Sequence, residues 1–200
     1  MHIAIEGLDG AGKTEMAKLV AAKLGLEFIE KPLHFITDEH GMENYFKIIE
    51  RVNANEDKHF RARFYGTGNY LVSRLAQKGK VITDRHLVSN YYWNSDADHD
   101  LYFDELVKEC GRPDITFVLY VSSRERKRRI LSRNPEDPDL KRKVFSDEPY
   151  IKIKDFLEKY KMPYEMVDAT KMSLTEVVEY VCNRINTIAS EKNLGREDNR

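Results

Sequence analysis

A glycine-rich pattern near the start of the printed sequence could hold phosphate groups. The apolar run His2–Ile5 is followed by Gly7-x4-Gly12-Lys13-Thr14, which matches G-x-x-x-x-G-K-[ST]. Such glycines let the backbone curl so that successive N–H groups point at phosphate oxygens, and the positive end of the following helix assists. The lysine reaches the outer phosphates, and the threonine hydroxyl suits Mg²⁺. The expected phosphate-binding residues are Gly7, Gly10, Ala11, Gly12, Lys13 and Thr14.

Asp84 and Arg85 are a second candidate, because they directly follow the expected strand Lys80–Thr83. A carboxylate at the carboxyl end of a strand can hold the Mg²⁺ shell through water. A neighbouring guanidinium can clamp a phosphate with two parallel hydrogen bonds. An Asp-Arg pair alone is better explained by a structural ion pair, but beside a phosphate loop it favours function. Asp84 and Thr14 are therefore the expected metal residues.

Arginines are concentrated in the segment Arg124–Arg133. Arg129 and Arg133 lie four positions apart, on one face of an expected helix, at the approach to the polar, proline-broken loop Asn134–Lys143. Such a loop can act as a lid, here about residues 133–146, that excludes water and brings arginines onto a transferring phosphoryl group. The other basic residues are expected to form a solvated helix face: Arg124, Arg126, Lys127 and Arg128.

Candidates for an acceptor site follow the second expected strand, at Glu30-Lys31-Pro32. Glu30 is either a general base or a surface carboxylate, and the residues alone leave both open. On the helix expected over residues 60–78, Phe60 and Arg63 could offer an aromatic face and a donor to a flat base. The same side chains suit an ordinary core aromatic and a solvated arginine equally well.

Size and composition restrict the class of protein. Two hundred residues suit one α/β domain, expected over residues 1–192, with a frayed tail at 193–200. The net charge of −1 argues against a nucleic-acid polymer or a membrane as the main partner. No apolar run approaches the ~20 residues of a membrane span, and no signal peptide is expected before the first strand, so a cytoplasmic protein is expected. Cys110 and Cys182 are expected to be reduced, and the histidines have no zinc-ligand spacing.

An alternation of strands and helices must position these residues. The expected strands are His2–Glu6, Leu26–Glu30, Lys80–Thr83, Ile115–Val121 and Tyr164–Val167. The expected helices are Lys13–Leu24, 42–52, 60–78, Leu101–Cys110, about 123–132, 147–160 and Leu174–Ser190. This alternation predicts an α/β fold, a five-stranded parallel sheet with helices on both faces. Ligands of such sheets bind at the carboxyl ends of the strands, where the candidate residues fall.

With these motifs in place, the chain resembles the thymidylate kinase family of P-loop nucleoside and nucleoside-monophosphate kinases over most of its length. The segments that carry the resemblance are Glu6–Thr14, Val81–Ser89, Pro113–Leu119 and Val167–Thr170. They are similar to the family's phosphate loop, its D-R-Y-x-x-S segment with His86 in place of Tyr, its P-D-L-T strand and its I-D-A-S turn. Each segment is weak evidence alone, but their common order and matching intervals are specific.

The resemblance implies a three-layer P-loop kinase fold with an arginine-bearing lid, and a homodimer. It also implies ATP, Mg²⁺ and phosphoryl transfer to a nucleoside-type acceptor. Asp9, inside the phosphate loop, would contact the acceptor sugar, and Arg85 the acceptor phosphate. Arg129 and Arg133 would contact the transferring phosphate. The turn that would lie beside the adenine comprises Asp168, Ala169 and Thr170.

The acceptor side departs from the family pattern. Thymidylate kinases carry R-x-P where this chain has Glu30-Lys31-Pro32, so Lys31 would replace the arginine that holds the monophosphate. Deoxynucleoside kinases place a glutamate beside a proline here, as the base for the 5′-hydroxyl proton, and Glu30 is one residue removed from that pattern. In the family's F-x-x-x-R segment, Phe60 is the expected equivalent, and Phe64 stands in the place of Arg with Arg63 beside it.

Three functions therefore remain open. The first is phosphoryl transfer from ATP to a deoxynucleoside monophosphate, dTMP + ATP → dTDP + ADP, catalysed by Lys13, Arg85, Arg129 and Arg133 without a strong base. The second is a deoxynucleoside kinase with Glu30 as base. The third is a non-catalytic nucleotide-binding regulator, either an inactive kinase homologue or a GTPase-type switch. Asp38-Glu-His-Gly41 has the D-x-x-G spacing of a GTPase, but the sequence lacks the N-K-x-D that reads guanine.

Overall fold

A five-stranded parallel sheet forms the centre of the protein. The computed structural model describes residues 1–96, 100–137, 140 and 145–197. Its strands are β1 His2–Gly7, β2 Glu27–Glu30, β3 Val81–Asp84, β4 Ile115–Tyr120 and β5 Tyr164–Asp168. All neighbouring strands are parallel, in the order β2-β3-β1-β4-β5. The predicted parallel sheet is confirmed, and each strand ends within about one residue of its expected bounds.

Helices connect the strands. In the described part of the chain they are α1 Lys13–Leu24, α2 His34–Thr37, α3 Glu43–Ala54, α4 Lys58–Lys78, α5 Leu87–Asn94, α6 Asp100–Cys110, α7 Ser123–Arg133, α8 Pro149–Lys159 and α9 Leu174–Glu197. The sequence pattern predicts α1 with its observed bounds but assigns no helix at α2 or α5, and α9 continues beyond the expected end at Ser190. His86, which precedes α5, makes no side-chain cap, so α5 lacks the usual local start signal.

The two largest apolar cores among the described residues lie on opposite faces of the sheet. In β4, Phe117 and Leu119 belong to one core and Val118 to the other, because successive side chains of a strand point to opposite faces. The first core receives α1 and α9, and the second receives α5, α6 and α8. The three-layer arrangement implied by the family resemblance is therefore confirmed.

The strand register brings the candidate residues to one edge of the sheet. Asp84 at the end of β3 pairs with Glu30 at the end of β2, and Asp168 at the end of β5 pairs with Tyr120. Because the strands are parallel, their carboxyl ends and the loops that follow them share that edge. The phosphate loop follows β1, the central strand, and so lies in the middle of the edge.

Arg126 is buried, which corrects the prediction that it belongs to a solvated helix face. The residue is 5% exposed. Its Nε donates to the Val121 carbonyl oxygen at 3.0 Å, and its Nη2 donates to the Ser146 carbonyl oxygen at 2.6 Å and contacts Asp147 Oδ1 at 3.4 Å. A guanidinium tolerates burial when acceptors satisfy its donors in this way. Arg126 therefore ties α7 to the segment that precedes α8.

The cysteines are free thiols, as predicted. Cys110 is half-buried and Cys182 is buried. Burial raises the pKa of Cys110 to about 11, so little reactive thiolate forms near neutral pH. None of the helices in the described ranges has both the length and the apolar character needed to cross a membrane.

Candidate active site

The phosphate loop joins β1 to α1 and opens into a cleft of about 1090 Å³. Gly7 packs so closely against β4 that a Cβ atom would lie 2.6 Å from the Leu119 carbonyl oxygen. Gly12 is the N-cap of α1 with a φ of 88°, and a Cβ atom there would meet nothing within 4 Å. The loop is therefore held against the sheet at Gly7 and leaves open space at Gly12. That space adjoins the helix N-terminus, whose first N–H groups lack intrahelical partners and suit a phosphate.

Lys13 lies inside the loop with its side chain buried. Its Nζ donates to the Leu8 carbonyl oxygen at 2.9 Å, and the residue is 5% exposed. Burial, followed by the positive charge of Arg85, lowers the pKa of Lys13 to about 8, although nearby carboxylates oppose the shift. A phosphate that enters the loop would stabilise the ammonium form. Lys13 is thus placed as a cation for the ligand of the loop.

Thr14 and Asp84 meet where α1 begins and β3 ends. The Thr14 hydroxyl donates to Asp84 Oδ2. Asp84 Oδ1 is buried and accepts no hydrogen bond within the described residues. A buried carboxylate oxygen without a hydrogen bond is costly unless a cation or a water contacts it. Both residues therefore fit Mg²⁺, a hard cation that prefers oxygen ligands.

Arg85 turns back toward the phosphate loop. Its φ of 73° is left-handed, and its backbone N–H donates to the Ile5 carbonyl oxygen at 2.9 Å. Its Nη2 forms an ion pair with Asp9 Oδ1, and its Nη1 donates to Ser89 Oγ at 3.4 Å. A left-handed residue other than glycine costs on the order of 1 kcal/mol and persists where its surroundings hold it. The structure thus brings Arg85 and Asp9 together in the cleft.

Glu6 carries a role that the sequence reasoning did not assign. The residue is fully buried near the end of β1. Its Oε1 accepts from the backbone N–H groups of His86 at 2.7 Å and Ser89 at 3.2 Å, and its Oε2 accepts from the Ser89 hydroxyl at 2.5 Å. Burial raises the pKa of Glu6, and these hydrogen bonds oppose the rise. Glu6 therefore caps α5 and fixes Ser89, which contacts Arg85. In the sequence, the one sign of this role is an acidic residue inside an otherwise apolar strand.

Arg129 and Arg133 both line the cleft. Arg129 Nε donates to Glu125 Oε1 at 2.9 Å. Arg133 contacts Asp137 Oδ2 at 2.7 Å, and its side chain is 67% exposed. Arg128, which the sequence placed on a solvated face, is exposed but also lines the cleft and pairs with Glu125. Residues 138–139 and 141–144 of the predicted lid lie outside the described residues.

The turn after β5 forms another wall of the cleft, through Ala169 and Thr170. Asp168 Oδ1 accepts the Thr170 backbone N–H at 3.0 Å, and Thr170 Oγ1 accepts the Ser122 backbone N–H at 3.1 Å. Arg129 Nη2 donates to the Ala169 carbonyl oxygen at 3.0 Å. Asp168 therefore shapes the turn, whereas Ala169 and Thr170 present atoms to a ligand.

The acceptor candidates after β2 take different positions. Lys31 lines the cleft together with Asp84 and Arg85. Glu30 contacts the Lys31 ammonium and lies 3.6 Å from Lys18 Nζ, and it is outside the lining of the cleft. Burial lowers the pKa of Lys31, and the charge of Asp84 opposes this shift. The structure therefore presents the lysine, and not the glutamate, to a ligand.

Phe60 and Arg63 on α4 are not brought into this cleft. Phe60 is 46% exposed. The Arg63 guanidinium lies 4.9 Å from the centroid of the Tyr102 ring, on the side of α6. Their proposed contact with a base stays a prediction.

Two tyrosines that the sequence did not single out lie within electrostatic reach of Arg85. Burial raises the pKa of both Tyr45 on α3 and Tyr65 on α4, and the positive charge of Arg85 opposes both shifts. The Tyr65 hydroxyl also donates to Asn53 Oδ1 at 2.7 Å.

A chain of buried and half-buried polar side chains ties α4 to α5. Arg61 Nε donates to Asn94 Oδ1 at 3.1 Å, Asn94 Nδ2 to Asn90 Oδ1 at 3.0 Å, and Asn90 Nδ2 to Asn69 Oδ1 at 3.1 Å. The Nε2 atom of His86 lies 3.3 Å from the Asn69 carbonyl oxygen. Because α5 begins two residues after Arg85, this chain connects α4 to the helix that follows the Asp-Arg pair.

The fold and the site define the class of the protein. A phosphate loop after the central strand, an Asp-Arg pair after its neighbour and arginines from α7 converge on one cleft. Backbone donors and positive charge that converge in this way are the machinery of phosphoryl transfer. The protein is a P-loop nucleotide kinase.

The chain belongs to the thymidylate kinase family, whose profile, described as Thymidylate kinase, matches residues 5–181. A probable thymidylate kinase of Methanocaldococcus jannaschii is 26% identical over 197 residues, which cover 94% of this chain and 97% of the relative. A probable thymidylate kinase of Thermococcus kodakarensis is 29% identical over 195 residues, which cover 84% and 91%.

Solved structures share the fold. A thymidylate kinase from Candida albicans superposes with a TM-score of 0.62 at 19% identity, over 93% of this chain and 91% of its own. A deoxyadenosine kinase from M. mycoides with bound dATP superposes with a TM-score of 0.61 at 24% identity, over 93% and 100%. At these identities the likeness shows the fold alone.

Proposed function

We propose that this protein transfers a phosphoryl group from ATP to dTMP and releases dTDP and ADP. The observation that carries the proposal is a second group of cations in the cleft, Arg85 and Lys31, beside the phosphate loop. The loop with Lys13 suits the triphosphate, and the second group suits an acceptor that already carries a phosphate. Membership of the family and the names of the archaeal relatives support the same acceptor.

The donor half of the site follows from the loop. The N–H groups of Gly7–Thr14 and the Lys13 ammonium hold the phosphates of ATP, and Ala169 and Thr170 lie beside the adenine. Thr14 and Asp84 are the residues that would hold Mg²⁺, which neutralises phosphate charge when it is bound. The buried Asp84 Oδ1 without a hydrogen bond among the described residues supports this assignment.

The reaction needs position and charge more than it needs a base. An anionic phosphate oxygen of dTMP attacks the γ-phosphorus of ATP, the bond from that phosphorus to the bridging oxygen breaks, and ADP leaves with the electron pair. Arg85 and Lys31 hold the acceptor phosphate, and Asp9 orients the sugar. Arg129 and Arg133 stabilise charge on the phosphoryl group in flight.

The alternatives from the sequence are less well supported. A deoxynucleoside kinase would need Glu30 as the base, but its carboxylate contacts two lysines and lies outside the cleft lining. A GTPase-type switch would need Asp38 at the nucleotide, but Asp38 accepts the backbone N–H groups of Asn44 and Tyr45 at 2.8 and 2.9 Å, as a cap for α3.

Turnover with ATP and Mg²⁺ on a matched panel of thymidine, dTMP and other nucleosides and monophosphates tests the proposal. We expect turnover of dTMP and background rates with thymidine. Lys13→Ala should abolish turnover, whereas Lys127→Ala, at an exposed position of α7, is the matched control with normal turnover. Phosphorylation of nucleosides alone would contradict the proposal.

The resemblance also supports a homodimer in the cytoplasm, and we include both in the proposal. Light scattering on the purified protein should give twice the mass of one chain. A monomer at concentrations where the enzyme is active would contradict the proposed homodimer. Fractionation of cells of the source organism would test the proposed cytoplasmic location.

A further inference from the structure

Glu30 ends β2 between two ammonium groups. It contacts the side chain of Lys31, its neighbour in sequence, and lies 3.6 Å from Lys18 Nζ on α1. The Glu30 side chain is 15% exposed, against 34% for Lys31 and 56% for Lys18. At this partial burial the attraction between the charges is screened less than on an open surface. One carboxylate therefore holds two cations of unequal exposure.

The two lysines differ in what else they face. Lys31 lines the cleft with Asp84 and Arg85, and its Nζ lies 5.9 Å from the centroid of the Phe46 ring. Lys18 is exposed and takes no part in the lining. A ligand phosphate in the cleft would therefore compete with Glu30 for Lys31 and would leave Lys18 with Glu30.

The backbone of Lys31 is fixed, so a change of partner involves the side chain alone. Its φ of 48° is left-handed. The Lys31 carbonyl oxygen accepts the His34 backbone N–H at 3.0 Å and lies 2.8 Å from His34 Nδ1. A lysine side chain on such an anchored residue has several rotatable bonds and a compact charge that can point at either anion.

We propose that Glu30 tunes the affinity for the acceptor phosphate. It holds the Lys31 ammonium until a phosphate monoester dianion displaces it, and Lys18 then neutralises the Glu30 carboxylate. A neutral nucleoside has no charge with which to compete for the ammonium. A monoester dianion competes strongly, and Arg85 in the same cleft assists it. The inference rests on the proposed monophosphate acceptor and gives Glu30 a role other than that of a base.

Substitutions at Glu30 and Lys18 should change the affinity for dTMP in opposite directions. Glu30→Gln keeps the shape of the side chain and releases Lys31, so dTMP should bind about three- to fivefold more tightly in calorimetry. Lys18→Met leaves Glu30 with Lys31 as its remaining cation, so dTMP should bind about three- to fivefold more weakly. The affinity for thymidine should stay the same in both variants.

Matched controls separate this exchange from a general change of surface charge. Glu27→Gln removes an exposed carboxylate from the same strand, and Lys23→Met removes an exposed ammonium from the same helix. Neither should change dTMP affinity. In a Lys31→Met background, the effect of Glu30→Gln should disappear, because the group that Glu30 holds is gone.

The direction in which Glu30→Gln changes the affinity for dTMP decides whether the inference holds. Weaker or unchanged dTMP binding by Glu30→Gln, or an undiminished effect in the Lys31→Met background, would overturn the inference. Failure of the proposed function has a different signature, since the wild-type protein would then phosphorylate nucleosides and leave dTMP unchanged.

Discussion

The carboxylate of Glu6 shows how one buried residue orders the part of the cleft around Arg85. Two backbone N–H groups and one hydroxyl donate to it from positions 80 and 83 residues further along the chain. An N–H group that is buried without an acceptor costs about 1–3 kcal/mol. Glu6 therefore stabilises the start of α5 and, through Ser89, the position of the Arg85 guanidinium.

We expect Glu6→Leu to lower the free energy of unfolding by about 2–4 kcal/mol more than Glu6→Gln does. Leucine is similar in size but accepts no hydrogen bond, whereas glutamine keeps a carbonyl oxygen for the N–H groups of His86 and Ser89. Urea denaturation of the two variants measures the difference. Equal midpoints and slopes would mean that α5 does not depend on this acceptor.

At the level of single residues, the sequence predicts those positions whose roles depend on local spacing. Lys13, Thr14 and Arg85 were singled out from the motifs, and the structure places all of them in the cleft. Glu6 and Arg126 were missed or misjudged because their partners are set by packing. An acidic residue in a strand or an arginine in a basic helix has no local mark that tells whether distant acceptors or donors will surround it.

Helix α1 is bounded by glycine at both ends, and the two glycines serve different purposes. Gly12 at the N-cap and Gly25 at the C-cap have φ values of 88° and 64°, and a Cβ atom at either would meet nothing within 4 Å. The two positions are thus alike in backbone conformation and in local space. They differ because Gly12 lines the cleft and Gly25 does not.

We expect Gly12→Ala and Gly25→Ala to destabilise the protein by a similar amount, about 1–2 kcal/mol, through the left-handed backbone. Only Gly12→Ala should weaken ATP binding, by at least about tenfold, because its methyl group would occupy the space where phosphate approaches the helix N-terminus. Calorimetric titration with ATP measures the difference. Equal ATP affinities in the two variants would show that phosphate does not approach Gly12.

The sequence predicts the bounds of some helices better than those of others, because not every helix has its start signal nearby in the chain. The bounds of α1 follow from the sequence because glycines mark both ends. No such signal precedes α5, since its cap is the carboxylate of Glu6 on β1. A helix whose start depends on another element is invisible to a local pattern.

Across the whole molecule, two buried histidines connect the sheet to α4 and to the start of α5. The rings of His2 and His86 are 4.6 Å apart in an edge-on contact. His2 Nε2 lies 3.1 Å from Thr83 Oγ1, and His86 Nε2 lies 3.3 Å from the Asn69 carbonyl oxygen. Both rings are buried where β1, β3 and α4 meet, so a positively charged imidazole there would have little solvation.

We expect the stability of the fold to decrease as the pH falls from about 6.5 toward 4. Burial lowers the pKa of His86 to about 4 and that of His2 well below its usual value, whereas both titrate near ~6.5 in the unfolded chain. Between these values the unfolded chain binds protons that the folded protein excludes, so stability is full above 6.5 and is lost below it. His86 alone accounts for up to about 3 kcal/mol.

Chemical denaturation at pH 7 and pH 4.5 measures this loss. The pH dependence should be shallower in His86→Gln, because glutamine does not titrate. His40→Gln, at an exposed position before α3, should leave it unchanged. The same slope in His86→Gln and the wild type would contradict the assignment.

The sequence by itself determined the phosphate loop, the strand–helix alternation and the placement of Asp84 and Arg85 after a strand. Glycine conformations, side-chain period and residue order fix these features within a few positions of the chain, so no distant contact is needed to recognise them.

Only the tertiary structure decided which charges meet. It paired Glu30 with Lys18 on another element, turned Lys31 toward the cleft and directed Arg63 toward Tyr102 on α6. It also buried Glu6 beneath a helix that begins 81 positions later in the chain. The free energy of a charge depends on its burial and its partners in space, and both are properties of the folded chain rather than of neighbours in sequence.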